Sequence, residues 1–246
     1  MPETGGPGMD DAAHMPFARY PTPNRPLLGL TILVVEDSRF ACEAMRLLCL
    51  RSGARIRRAD CLASARRHLR VYRPSAIIVD LGLPDGSGLD LIAELAAAQP
   101  RVAAILGTSG DPALEDGALR VGADGFLPKP VESLARFQQA VLACLPADLR
   151  PTGPRPMVDQ RIEPDPLSLR DDMIHAAELL SDGRDGAQVA YVAQFLTGVA
   201  RSARDTALEH AAEALAADRA QGRPLGSGTA RVAALLQERL AVRIAI

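Results

Sequence analysis

Short apolar runs alternate with helical periodicities through the first 146 positions of the chain. Ala76-Ile77-Ile78-Val79 runs straight into Asp80, the pattern of a strand buried on both faces that delivers a carboxylate at its C-terminal end. Thr31–Val35 is a similar run ending in Glu36-Asp37, and residues 102–106 form another, closing in Gly107-Thr108-Ser109-Gly110. Shorter strands are expected near Ile56 and over residues 125–127, the latter leading into Pro128-Lys129-Pro130. Between the strands the period changes to that of helices. Ser38 caps one whose Phe40, Ala44, Leu47 and Leu48 share a face. Others are expected over residues 62–71, 89–98, 112–121 and 131–145, with Gly122 closing the fourth. Strand and helix alternate five times, which predicts a doubly wound parallel sheet covered on both faces.

The pattern then changes. Prolines at 146, 151, 154, 156, 164 and 166 break the alternation and predict a stiff, extended linker over residues 147–166. Beyond it the strands vanish. Helices are expected over residues 167–180 and, after a turn at Gly183 and Gly186, as one long element over 187–219. Val189, Val192, Leu196, Val199 and Ala203 recur along that element at spacings of three and four, a narrow seam suited to a partner helix, either within a bundle or in a second chain of a dimer. Val232, Leu235, Leu236 and Leu240 mark a last helix. Residues 1–26, with six prolines and little periodicity, read as a flexible arm. The expected organisation is therefore an arm (1–26), an α/β domain (27–146), a linker (147–166) and a small all-α domain (167–246).

Composition narrows the function classes. There is no apolar run of the roughly 18 residues that span a bilayer, and no apolar core of a secretory signal near the start, so a cytoplasmic location and no membrane partner are expected. The four cysteines are scattered, without the spacing of a metal site. Net charge is −2, and neither half has the basic excess typical of nucleic-acid binding. One bias stands out: of the 28 basic residues a single one, Lys129, is lysine. Lysine is a compact point charge where arginine is a broad fork.

In a doubly wound sheet the ends of the strands lie side by side, and ligands bind in the crevice beyond them. Glu36, Asp37, Asp80, Thr108, Ser109 and Lys129 all fall there. Three carboxylates at one edge repel one another unless a cation sits between them, and an oxygen-only set suits Mg2+. A hydroxyl and a lysine opposite could hold the oxygens of a phosphoryl group on Asp80.

Residues 30–146 resemble the receiver domain of two-component response regulators. The likeness rests on Glu36-Asp37, on Asp80, on the loop Leu83-Pro84-Asp85-Gly86-Ser87-Gly88, on the hydroxyl after the fourth strand, and on Gly122-Ala123-Asp124-Gly125-Phe126-Leu127-Pro128-Lys129-Pro130. It implies a flavodoxin-like fold with Asp80 as phosphoacceptor. By the same resemblance Asp37, Asp80 and the Gly82 carbonyl ligate Mg2+, and Glu36 acts through a water. Lys129 pairs with the phosphoryl group, Phe126 holds the aromatic switch position, and the Lys129-Pro130 bond is cis. Both Ser109 and Thr108 fit the hydroxyl position, Ser109 the better by its local motif and Thr108 by its spacing from Lys129. The helix that follows is expected to be short.

The function expected is that of a phosphorylation-controlled regulator in a two-component phosphorelay. A sensor histidine kinase or a phosphotransfer protein supplies the phosphoryl group, and the helical domain gives output by homodimerising or by binding a protein. No catalysis is expected beyond phosphoryl acceptance and autodephosphorylation at Asp80. The rival reading is a DNA-binding transcriptional regulator with an atypical helical effector domain. A phosphatase of haloacid-dehalogenase type is disfavoured, because it wants an aspartate where Gly82 stands. His175 and His210 read as exposed helix residues rather than phosphotransfer histidines.

Overall fold

The computed structural model describes residues 21–152, 160–182 and 186–241. Five parallel strands form one sheet: β1 (Thr31–Val35), β2 (Arg55–Ala59), β3 (Ala76–Asp80), β4 (Ala104–Ser109) and β5 (Gly125–Pro128), in the order β2-β1-β3-β4-β5. This is the flavodoxin-like order, with the crossover direction reversing between β1 and β3. The registers Val35↔Val79 and Asp80↔Thr108 bring the ends of the three central strands level.

Strand alternation sorts the side chains onto two faces. Ile32, Val34, Ile78 and Leu106 pack beneath α1 (Arg39–Ser52) and α5 (Leu134–Cys144), against Met45, Leu48, Phe137 and Val141. Leu33, Val35, Ile77 and Ile105 pack on the other face, beneath α2 (Leu62–Val71), α3 (Gly88–Ala97) and α4 (Glu115–Arg120). As expected, α4 is short: a single 3-10 turn at Pro112–Leu114 precedes its six residues. The loop after β3 is pinned twice. Asp85 accepts from the amides of Leu62 and Ala63 at 2.8 and 2.9 Å, capping α2. At Gly88 a Cβ would stand 2.0 Å from the carbonyl oxygen of Asp80, so only glycine lets α3 start this close to the end of β3.

The C-terminal part is all-helical: α6 (Pro166–Asp182), α7 (Gly186–Ala203), α8 (Thr206–Ala220) and α9 (Gly226–Ala241). Helix α7 packs between α6 and α8, and α9 closes on α6 and α8. Two expectations are corrected here. The single long helix over 187–219 is two helices. Arg204 takes a left-handed φ of 58°, and Asp205 caps α8 by accepting from the Leu208 amide at 3.1 Å. The α7 seam is also internal to the bundle. Val189, Val192, Leu196 and Val199 are buried with Leu208, Ala212, Leu215, Val232 and Leu236, so these four offer no face to a second chain, while Ala203 at the end of α7 is half-buried.

Of the expected arm, residues 1–20 lie outside the described residues, as do 153–159 of the linker, Gly183 of the α6–α7 turn and 242–246. Residues 22–25 form a turn closed by Thr22 and Arg25, after which Leu27 is buried in the core. Residues 160–162 lie against the α/β domain, with Leu134 donating to Gln160 and Ile162 to Glu132, both at 2.9 Å. No helix among the described residues is long and apolar enough to cross a membrane.

Candidate functional site

The acidic residues converge because β1 and β3 are neighbours that end level. One oxygen from each of Glu36, Asp37 and Asp80 lies within 4.8 Å of the others. Lys129, carried by the turn after β5, places its Nζ 2.8 Å from Asp80 Oδ2 and 2.7 Å from Glu36 Oε2. Its backbone amide donates to the Ser109 carbonyl at 2.9 Å, which fixes the turn on the end of β4. The Lys129-Pro130 bond is cis, in agreement with the expectation.

One ammonium cannot neutralise three carboxylates. Burial pushes Glu36 well above the usual carboxylate range, with Asp80 and Asp37 adding to the rise and Lys129 opposing it. Asp37 is pushed up to about 6 by burial and by Asp80. Burial alone would lower Lys129, but Asp80 and Glu36 overcome it and hold the ammonium charged. The residual negative charge and the all-oxygen donor set fit a small hard cation of the Mg2+ type.

The two candidate hydroxyls part company. Thr108 is fully buried and donates to the Leu127 carbonyl at 2.7 Å, tying β4 to β5. Ser109 points into the same cleft as Asp80 and Lys129, where its Oγ accepts from the Asp111 amide at 3.1 Å. Gly82 also lines that cleft, its amide donating to Asp80 Oδ1 at 3.3 Å. Phe126 packs into the sheet face that carries α4, against Gly107 and close to Ala118.

The sequence model of the response regulator receiver domain matches residues 32–141. Those residues are a response regulator receiver domain. Among curated relatives, the chain is 29% identical over 127 residues to the KDP operon transcriptional regulatory protein KdpE of Escherichia coli, covering 52% of this chain and 56% of that protein. It is 34% identical over 126 residues to the probable transcriptional regulatory protein TcrX of Mycobacterium tuberculosis, covering 50% and 51%. The chain spans about half the length of the curated relatives it matches. The crystal structure of a putative response regulator from Chloroflexus aurantiacus is 27% identical with a TM-score of 0.39, covering 41% of this chain and 85% of that one.

The receiver domain ends its matched region before α6, and the helices beyond supply residues that sequence reasoning did not single out. Helix α7 lies across the acidic cleft. The Tyr191 hydroxyl donates to Asp37 Oδ2 at 2.5 Å, and the Gln194 amide rests on Gly82. The Arg201 guanidinium donates to the Gly110 carbonyl and is itself held by Glu209 at 2.7 Å and Glu213 at 2.9 Å. From α6, Asp172 reaches the first turn of α1. A cavity of about 560 Å³ remains between Asp80, Ser109 and Lys129 on one side and Gln194 and Arg201 on the other. Tyr191 and Asp37 are 154 residues apart, and no local pattern announces such a contact. His175 and His210 are exposed, as expected.

Proposed function

We propose that the chain is a phosphorylation-controlled response regulator of a two-component phosphorelay, in which Asp80 accepts the phosphoryl group. The observation that carries this reading is the buried contact of the sole lysine with Asp80, beside two further carboxylates. An Asp80 carboxylate oxygen attacks phosphorus, forming a P–O bond as the P–N bond of a phosphohistidine donor breaks. The imidazole nitrogen leaves with the electron pair. A Mg2+ ion, when bound, would neutralise charge between the carboxylates and the phosphoryl oxygens. Asp37, Asp80 and the Gly82 carbonyl would hold it, with Glu36 beside them. Lys129, already on Asp80, would hold one phosphoryl oxygen, and Ser109 lies where it could donate to another.

The donor is a sensor histidine kinase or a phosphotransfer protein, the setting is cytoplasmic, and chemistry beyond acceptance and autodephosphorylation is not part of the reading. A small phosphodonor with Mg2+ should add one labile acyl phosphate, and Asp80→Asn should abolish it. Undiminished labelling of that variant overturns the assignment.

The output is read by the helical bundle, through a protein partner. DNA binding is the second reading, favoured by the names of the relatives as transcriptional regulators. A gel shift whose affinity falls steeply with salt would decide for DNA. A homodimer would need a surface other than the internal α7 seam, and light scattering on the full chain checks for one.

A further inference from the structure

The cleft that collects the acidic residues is covered by the chain's own C-terminal helices. Asp172 is 2% exposed and spends its carboxylate on the receiver domain: it accepts from Ser38 Oγ at 2.7 Å, the Arg39 amide at 2.8 Å and the Phe40 amide at 3.0 Å. A buried carboxylate with three donors is a built joint rather than a chance touch. At the far end Arg201 fastens α7 to Gly110, on the loop that follows Ser109. Between these two anchors Tyr191 is brought onto Asp37.

We propose that Tyr191 competes with the metal ion for Asp37, so that loading of the acidic site and docking of the helical bundle oppose each other. The inference rests on the Mg2+ reading above. The phenol hydroxyl presents the positive end of its O–H dipole to Asp37 Oδ2, on the carboxylate that a cation would draw on. Each ligand that draws on Asp37 therefore weakens the other. By linkage the factor is reciprocal: whatever docking takes from metal affinity, metal binding takes from docking. The consequence is a receiver whose first chemical event, filling the acidic site, loosens the bundle that would carry output. The opposite role for Tyr191 is that of a partner that steadies Asp37 as a ligand, and it predicts the opposite sign.

Calorimetric titration of the full chain with Mg2+ alone, without phosphodonor, separates the two. Tyr191→Phe removes the hydroxyl and keeps the ring on Phe195 and the rest of α7. A hydrogen bond to a charged group, once lost as a competitor, should tighten Mg2+ binding about tenfold. Asp172→Asn touches neither Asp37 nor Asp80 but weakens the joint that brings Tyr191 into place, and should tighten Mg2+ binding in the same direction. Tyr191→Phe with unchanged or weaker affinity overturns the competition. An unchanged Asp172→Asn overturns its coupling to docking. If neither the wild type nor either variant binds Mg2+, the metal reading itself has failed, an outcome distinct from both.

Discussion

Asp172 and Ser38 are 134 residues apart in sequence and 2.7 Å apart in the fold. Ser38 is the cap of α1, its Oγ accepting from the Ala41 amide at 3.0 Å, and it directly follows the acid pair. Asp172 therefore completes, from the helical bundle, the start of the helix that follows the acid pair. Burial raises its pKa, and the amide of Phe40, the Ser38 hydroxyl and the amide of Arg39 pull against that rise.

Removing the whole joint should be costly. Asp172→Ala leaves the Arg39 and Phe40 amides and the Ser38 hydroxyl short of an acceptor, and should lower stability by about 1–3 kcal/mol. A thermal melt of the full chain measures it. A variant that melts with the wild type would mean that the joint contributes nothing net.

Lys129 is held between Glu36 and Asp80 with its side chain 7% exposed. Lys129→Arg keeps the charge, but the wider guanidinium has no room between two oxygens placed for a point charge. The expected result is a protein that still accepts phosphoryl from a small donor but fails to change its domain arrangement. Small-angle scattering with and without donor reads this out. An arginine variant that responds like the wild type refutes the role.

The sequence carried the receiver domain because its signals are local. Asp80 ends an apolar run, α2 falls on the expected residues, and α4 is as short as expected. The break between α7 and α8 is not legible in the sequence because no glycine or proline stands at 203–206, and an aspartate at a helix cap looks the same as one on a solvated face. The burial of the seam is hidden for a related reason. A narrow stripe looks paired from outside, but α6, α8 and α9 all come from the same chain to cover it. Tyr191, Asp172, Gln194 and Arg201 were invisible because their partners lie in the other half of the chain.

That cap carries a pH dependence. Arg239 of α9 donates to Asp205 at 2.8 and 3.2 Å, and this hydrogen bonding holds the carboxyl below its ordinary value. A depressed folded pKa contributes stability that is present above the unfolded pKa, near 3.8, and is lost as pH falls through the lower folded value. Acid should therefore loosen the α8–α9 pair. Asp205→Asn should remove that part of the acid slope while weakening the bundle at neutral pH. Circular dichroism melts from pH 3 upward test it, and an unaltered slope in the variant would assign the acid loss to other groups.

Thr108 and Ser109 give the last prediction, because adjacent hydroxyls in one strand have different surroundings. Thr108 is fully buried and bonded to the Leu127 carbonyl, so Thr108→Val leaves that carbonyl without its donor while preserving shape. It should cost about 1–2 kcal/mol of stability and leave phosphoryl acceptance at Asp80 intact. Ser109 lines the cleft with Asp80 and Lys129, and its Oγ accepts only from the Asp111 amide among the described bonds. Ser109→Ala should change the melt little, since the Asp111 amide is partly open to water. Its effect should fall on the coupling of phosphorylation to domain rearrangement, which the lost hydroxyl would otherwise report. Melting curves and phosphorylation-dependent scattering on both variants form a two-by-two test. If Thr108→Val loses the response and Ser109→Ala keeps it, the hydroxyl that reads the phosphoryl group is Thr108, and its bond to Leu127 must break when Asp80 is modified.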